Sequence, residues 1–260
     1  MTVVVTEAIV LHAFDYLESS RIVRLLTRDA GVRSVLARGA RSSRKRFGAA
    51  LDLFAQGSAE LYTKPGRDLD TLSTFDVTRS RAGLGMRLER FAGAGAIAEL
   101  ALRFGHDAAD AGLFDAVAAA LDTLMTAPAD RARDLTLAGG WRLLAELGVA
   151  PTVDVCAECH SAVDGEAPAT FSHPVGGVLC ARCAHLARGG RTLPPAARSA
   201  LRDWLSGEAH PIADRQEARA HQRLLREFVR EHLADDRPLP AFDAWEHDAF
   251  AGRATQEPVA

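Results

Sequence analysis

Lysine is nearly absent from this chain: its 260 residues include 31 Lys and Arg, and only Lys45 and Lys64 are lysines. Neither lysine follows a glycine in the frame of a phosphate-binding Walker loop, so nucleotide hydrolysis is not expected. Long apolar runs are also missing, because none approaches the ~18 residues that span a bilayer. Residues 1–5 carry no basic stretch and Glu7 interrupts the apolar run, so the sequence predicts no signal peptide and favours a cytoplasmic protein.

Catalytic motifs are missing as well. None of the nine histidines is followed two positions later by glutamate, as a zinc deaminase requires, and neither HExxH nor GxSxG occurs. Residues 93–98 match a loosened G-x-G-x-x-A dinucleotide pattern, but they lie in a helical stretch, so close helix packing explains them better. We therefore predict that the protein is not an enzyme. A zinc-containing hydrolase or nuclease that uses carboxylates and a second ion is the competing interpretation.

Cysteine is scarce, but its positions are regularly spaced. The chain has 4 cysteines, which fall as two CxxC pairs: Cys156 with Cys159, and Cys180 with Cys183. The two-residue gap lets both sulfurs of a pair face one tetrahedral ion, and two pairs complete its shell. Glycines and prolines flank the pairs, which is typical of hairpins and loops. The spacing predicts one structural Zn²⁺ per chain, held by these four thiolates in a zinc ribbon.

Other interpretations of the cysteines are two disulfides or a redox pair. Disulfides require an oxidising compartment, which the predicted lack of a signal peptide disfavours. A redox CxxC is expected once, at the start of a helix in a βαβ pattern, and not as two matched pairs. His160, His173 and His185 lie nearby and could replace a thiolate, but four cysteines already fill the shell. We therefore expect these histidines at the surface.

Positive charge is concentrated in one segment. The formal net charge is −3, yet residues 21–46 hold nine Lys and Arg against one Asp, a local excess of eight positive charges. A basic stripe on a mildly acidic protein is typical of a polyanion-binding surface, and guanidinium suits bidentate phosphate contacts. The alternative is a solvated charged face without a ligand.

Strand-like segments fill the first 80 residues. Residues 3–12, 21–27, 32–38, 51–62 and 69–77 have strand composition and are separated by turns and by a basic loop at 39–48. Five short strands predict a small barrel, and the OB-fold is the commonest five-stranded barrel that carries a basic loop. Such barrels bind single-stranded nucleic acid or oligosaccharide.

Beyond residue 80 the hydrophobic period becomes helical. It predicts three helices between residues 84 and 147 and two more between 194 and 233. We therefore predict an α+β multidomain fold in which an N-terminal five-stranded OB-fold barrel is followed by an α-helical domain with an inserted four-cysteine zinc ribbon. The predicted boundaries are 1–80 for the barrel, 81–150 and 191–240 for the helical domain, 151–190 for the ribbon and 241–260 for a flexible tail.

The front segment resembles a known family. The segments Thr6-Glu-Ala-Ile-Val-Leu11, Arg21-Ile-Val-Arg-Leu-Leu-Thr27, Ala37-Arg-Gly-Ala-Arg41 and Leu51-Asp-Leu-Phe54 occur in the order typical of the bacterial recombination mediator RecO family. The helical middle and the cysteine segment support the resemblance, which weakens toward the C-terminus. Some family members lack the cysteines, so the zinc prediction depends on the spacing in this chain.

The resemblance implies a mediator of DNA repair and recombination, associated with the nucleoid, that does not turn over a substrate. Such proteins bind single- and double-stranded DNA, anneal complementary strands, and work with a RecR-type mediator protein to load the RecA recombinase onto coated single strands. They also recognise the C-terminal tail of single-strand-binding protein.

The basic loop of the family corresponds to residues 37–46 here. The predicted DNA-binding residues are Arg33, Arg38, Arg41, Arg44, Lys45 and Arg46. Aromatic residues are scarce near this loop, with Phe47 and Phe54 the nearest, so we expect weak base stacking and mainly phosphate electrostatics. An RNA-binding OB-fold protein of translation or ribosome assembly is the alternative, because phosphate contacts do not separate RNA from DNA.

Overall fold

The computed structural model describes residues 2–41, 47–64, 66–187, 189–208, 210–212, 214–233 and 237–247. The chain divides into two compact units, Met1–Ala129 and Asp130–Ala260. Among the described residues, no helix combines the length and the apolarity that crossing a bilayer requires.

The first unit begins with a closed barrel of five strands. The strands are β1 (Thr2–Tyr16), β2 (Ser20–Thr27), β3 (Gly31–Ala37), β4 (Gln56–Thr63) and β5 (Asp70–Arg79). They pair in the order β1-β2-β3-β5-β4, and β1 closes the barrel against β4. Every pairing is antiparallel except that of β3 with β5. This OB-like topology confirms the fold class predicted from the five strand segments.

Alternate side chains of the strands fill the barrel. Val23 and Leu25 of β2 and Val35 and Ala37 of β3 all face the core, as the two-residue period of a strand requires. Phe47 and Leu51, which come from the connection between β3 and β4, pack into the same core. The closed sheet leaves no unpaired barrel edge, which is the usual liability of a small sheet.

Two predicted strand boundaries were wrong. The first strand does not end at residue 12 but continues to Tyr16, where it pairs with Ser20 across a tight turn. The fourth strand begins at residue 56 and not at 51, because Gly48–Leu51 forms a 3-10 turn and Phe54 has a φ of 68°. A positive φ is incompatible with a strand, so the apolar side chains of residues 51–54 do not belong to the sheet.

Helices α1 (Leu88–Phe104) and α2 (Ala111–Thr126) complete the first unit, after a 3-10 turn at Ala82–Met86. The barrel is joined to the segment between them at Gly31, where an added Cβ would lie 2.3 Å from the carbonyl oxygens of His106 and Ala108. Gly31 also has a φ of 65°, so both its conformation and this close approach require glycine. The first unit is therefore a barrel with two helices packed on it.

The second unit consists of helices and a small sheet. Its elements are α3 (Ala132–Glu146), β6 (Ala169–Ser172), β7 (Gly177–Leu179), α4 (Ala181–Leu186), β8 (Arg191–Leu193), α5 (Pro195–Ser206), α6 (Arg215–His232) and α7 (Pro240–Glu246). The strands form an antiparallel sheet in the order β7-β6-β8. Phe228 of α6 packs against Trp141 of α3 and Phe171 of β6, with ring centroids 5.4 and 6.1 Å apart. These aromatic contacts hold the sheet against the helices.

The predicted flexible tail begins too early. Residues 240–246 form α7, and the side chains of Phe242 and Trp245 are buried with ring centroids 5.2 Å apart. Glu246 also pairs with Arg226 of α6 at 3.0 Å. The Pro-rich composition before residue 241 suggested a loose segment, but Pro240 occupies the first turn of the helix, where its missing N–H costs nothing.

Candidate metal centre and nucleic-acid interface

The four cysteines meet at one point in the second unit. The sulfur atoms of Cys156, Cys159, Cys180 and Cys183 all lie within 4.8 Å of one another. The Sγ atoms of Cys159 and Cys180 are 3.7 Å apart, which is far longer than the ~2.05 Å of a disulfide. Around a tetrahedral ion with Zn–S bonds of ~2.3 Å, neighbouring sulfurs lie ~3.8 Å apart. The cluster is therefore compatible with a zinc site, and all four cysteines are free thiols.

Local backbone structure places each pair of sulfurs. A bridge between Val155 and Ala162 makes the first pair a tight hairpin, in which the N–H of His160 donates to the carbonyl of Cys156 at 2.8 Å. His160 reverses the chain with a φ of 57°. The second pair lies at the start of α4, where Cys180 precedes the first turn and Cys183 lies inside it. The two residues between the cysteines of each pair thus lie in a turn, which brings both sulfurs to the same side.

Hydrogen bonds within the cluster shift the pKa values of its cysteines in opposite directions. Hydrogen bonds from Ser161 lower the pKa of Cys159 to about 5. The hydrogen bond with Cys159 raises the pKa of Cys183 to about 12, because its proton is shared with the thiolate. The lowered pKa favours the thiolate form of Cys159, and soft thiolates are ligands that suit zinc.

The nearby histidines are not part of the cluster. Among the described residues, the group that could hold a metal contains the cysteines alone. His173 instead faces Glu227, with Nε2 3.5 Å from a carboxylate oxygen, and stacks edge-on against Phe171. His160 and His185 are exposed, as the sequence predicted, whereas His173 is largely covered by Phe171 and Glu227.

Two arginines of the basic segment are held by contacts within the first unit. Arg28 pairs with Glu7 at 3.1 Å and with Asp115 of α2, and these hydrogen bonds raise its pKa further. Arg33, one of the predicted DNA-binding residues, donates to the carbonyls of Ala30 at 2.8 Å and Asp107 at 3.0 Å. Part of the local positive charge is therefore used to join the barrel to the helical segment.

Two further arginines of the segment, Arg38 and Arg41, lie toward the end of the barrel at the β1–β2 turn. Arg38 follows β3 and is exposed. Arg41 is anchored there, because its Nε lies 3.3 Å from Asp15 and its Nη1 donates to the carbonyl of Leu17. The other three predicted contacts, Arg44, Lys45 and Arg46, lie outside the described residues. The structure thus brings Arg38 and Arg41 to one end of the barrel and Arg33 to contacts elsewhere, and DNA contact by the six residues stays a prediction.

The arginines of α6 are partly engaged as well. Arg226 pairs with Glu246, and Arg230 lies 3.5 Å from Asp243 of α7. Arg215 and Arg223 are exposed. This helix offers fewer unengaged cations than its sequence suggested.

Exposed aromatic residues at the barrel end were missed by the sequence analysis. Phe47 and Phe54, the nearest in sequence to the basic loop, are both 3% exposed and cannot reach a ligand. The extension of β1 instead exposes Phe14 and Tyr16 beside the turn to which Arg41 is anchored. The available signal was a ring-bearing side chain at every second position, His12, Phe14 and Tyr16, and it was missed because the predicted strand ended at residue 12.

Helix α1 covers part of the outer surface of β2. Nη2 of Arg24 donates to the carbonyl of Leu102 at 3.2 Å, and Leu26 is completely buried. OB-folds commonly bind oligonucleotides on the face of their second and third strands. In this chain, α1 covers part of that face, so the accessible part is the end that carries Arg38, Arg41 and the aromatic residues.

These features define an OB-like barrel protein with a helical second unit and a candidate four-cysteine zinc site. A family model described as Recombination protein O N terminal matches residues 1–81, and one described as Recombination protein O C terminal matches residues 86–239. The chain belongs to the RecO family of DNA repair proteins.

Individual relatives agree with the family models. A DNA repair protein RecO of Rubrobacter xylanophilus is 33% identical over 249 residues, which cover 95% of this chain and 98% of that protein. A DNA repair protein RecO of an Anaeromyxobacter species (strain K) is 43% identical over 191 residues, 73% of each chain. The similarity to the first of these extends over both units.

Proposed function

We propose that this protein is a non-enzymatic recombination mediator that binds single- and double-stranded DNA. In this proposal it anneals complementary strands and helps to load a RecA-type recombinase onto single strands coated by another protein. The observation that carries the proposal is the match of the two RecO family models to both units of the chain. The guanidinium groups at one end of the OB-like barrel supply the chemistry that DNA binding requires.

Phosphate contacts explain annealing without sequence readout. Two DNA strands repel each other through like charge, and a surface that carries several guanidinium groups lowers this repulsion for both strands together. Contacts to phosphate position a strand but carry no sequence information. Binding and annealing are therefore expected for any complementary pair.

The proposed protein partners follow from family membership. They are a RecR-type mediator protein and the C-terminal tail of single-strand-binding protein. The proposed location, close to the nucleoid in the cytoplasm, follows from the same function.

The proposed cofactor is one structural Zn²⁺ bound by the four cysteines. The ion would hold the two CxxC turns together and would leave no open position for water, because four thiolates complete a tetrahedral shell. A role in folding and not in chemistry fits this arrangement.

The salt dependence of oligonucleotide binding tests the proposed function. If about five cations contact phosphate, log affinity for a single strand should fall against log salt with a slope of about −3.5. The combined replacement of Arg38, Arg41 and Arg44 by Ala should make that slope shallower by about two. Thermal unfolding should change little, because exposed charges such as those of Arg38 and Arg41 contribute little to stability.

A matched variant on α6 provides the control. Combined replacement of Arg215, Arg219 and Arg223 by Ala removes the same charge from another exposed surface. It should leave the slope unchanged. If the α6 variant weakened DNA binding and the barrel variant did not, the DNA site would lie on α6. DNA binding by the wild type that does not depend on salt would refute the proposal.

A further inference from the structure

The outer surface of the β1–β2 hairpin carries a strip of exposed rings. Past the bulge after Val10, the strand turns His12, Phe14 and Tyr16 outward, while Ala13 faces the barrel core. Phe14 is 44% exposed and Tyr16 is 40% exposed. The rings of His12 and Phe14 contact each other, with centroids 5.8 Å apart.

The strip continues across the neighbouring strands. Ile22 of β2 lies directly opposite Phe14, and Leu36 of β3 lies directly opposite Ile22. Directly opposite residues point to the same face of a sheet, so these side chains adjoin the rings. We call this surface the hairpin face: His12, Phe14, Tyr16, Ile22 and Leu36. Single exposed apolar residues are ordinary, but a contiguous patch of them marks a binding surface.

Guanidinium groups border the hairpin face. Arg38 lies two residues beyond Leu36, and Arg41 is held beside the turn by Asp15 and by the carbonyl of Leu17. Asp15 is also paired with Arg21 at 3.1 Å, so two cations offset this carboxylate. Flat apolar rings beside cations suit a ligand that combines flat rings with negative charge. Single-stranded nucleic acid has that composition.

The strand period also fits unpaired bases. Alternate residues of a strand are about 6.8 Å apart, which is twice the ~3.4 Å separation of stacked bases. A base inserted between Phe14 and Tyr16 would therefore lie one stacking distance, ~3.4 Å, from the strand position of each ring. Bases within a duplex are already stacked on each other, so only a single strand can use these rings.

We propose that the hairpin face is a base-stacking platform for single-stranded DNA, with Phe14 and Tyr16 as the stacking residues. This inference rests on the proposed function, since Arg38 and Arg41 must hold the phosphates of the same strand. It adds specific stacking residues to the expectation of weak base stacking and mainly phosphate electrostatics. It also gives the barrel a basis for distinguishing single from double strands.

The test compares a single-stranded oligothymidine with an abasic strand of the same length and charge. The wild-type protein should bind the strand with bases about tenfold more tightly. Replacement of Phe14 and Tyr16 together by Ala should abolish this preference, while affinity for the abasic strand, affinity for duplex and the salt slope stay unchanged. Aromatic replacements, Phe14→Tyr with Tyr16→Phe, should retain the preference.

A matched control lies on the same strand. Val3 and Val5 are exposed on the part of β1 that pairs with β4, away from the hairpin face. Their joint replacement by Ala should leave the preference for bases intact. A double Phe14 and Tyr16 variant that is folded and still prefers bases would overturn the stacking platform, as would a wild type with no preference. In both cases a steep salt slope would leave the proposed function standing.

Discussion

Arg81 is an almost completely buried cation at the junction of the barrel and α2. It is 1% exposed, and its guanidinium donates to Asp122 at 2.7 Å, to the carbonyl of Phe54 at 3.0 Å and to the side chain of Gln56 at 2.7 Å. Burial of a charge is tolerated only when such partners replace its hydration. This residue therefore links three segments that are distant in sequence.

Replacement of Arg81 by Ala should lower the free energy of unfolding by about 3 kcal/mol, because it removes the buried donor of Gln56 and of the Phe54 carbonyl and one of the two arginine partners of Asp122. Denaturant unfolding of the full chain measures the change. Arg79 provides the control, since it contacts the same carboxylate but is 56% exposed. Arg79→Ala should cost less than about 1 kcal/mol. Equal losses of unfolding free energy in the two variants would show that the burial of Arg81 does not determine its contribution to stability.

The role of Arg81 could not be predicted from the sequence. Its partner Asp122 is 41 residues away and on a different element, and a pattern of local charge does not identify such a pair. Similarly, the charge pattern of residues 21–46 suggested that Arg28 and Arg33 belong to one cationic surface. In the structure, Arg28 contacts α2 and Arg33 contacts the segment before it. Tertiary contacts decide which arginines remain available to a ligand.

At the scale of elements, the sequence was most informative where a short-range rule applies. The two CxxC turns need only local geometry to present paired sulfurs, and the helical period of residues 113–124 depends on one face of α2. The end of β1 and the start of β4 were predicted wrongly. Their limits depend on a cross-strand partner, Ser20, and on the positive φ of Phe54, neither of which a hydrophobic pattern reveals.

The stability of the four-cysteine segment should depend on the proposed Zn²⁺. A structural zinc site contributes roughly 10–16 kcal/mol to folding, which is comparable to the entire net stability of ~5–15 kcal/mol of a typical domain. We expect Cys156→Ser or Cys183→Ser to yield poorly soluble protein without zinc, as measured by elemental analysis and thermal unfolding. His185→Ala, which removes an exposed histidine of α4, should retain one zinc per chain. A metal-free cysteine variant with wild-type stability would refute the structural role.

At the scale of the whole molecule, the compact units do not follow the predicted boundary at residue 80. Helices α1 and α2 belong to the same unit as the barrel, which ends at Ala129. The hydrophobic period changes at residue 80, so sequence alone suggested a domain boundary there. The change marks the end of the strands, but the Arg28–Asp115 ion pair and the hydrogen bonds of Arg81 to Phe54 and Gln56 continue across it.

Two fragments test which boundary defines an independent unit. Residues 1–129 retain Asp115, Asp122 and helix α1, which accepts a hydrogen bond from Arg24 of β2, so this fragment should unfold cooperatively. It also retains the six predicted DNA-binding residues, so it should bind single strands with the salt slope of the full chain and without response to a metal chelator. Residues 1–80 lack Arg81 and both helices, which leaves Arg28 without Asp115, so this fragment should aggregate or unfold. A stable 1–80 fragment with full DNA affinity would restore the boundary at residue 80 and make the contacts of α1 and α2 dispensable.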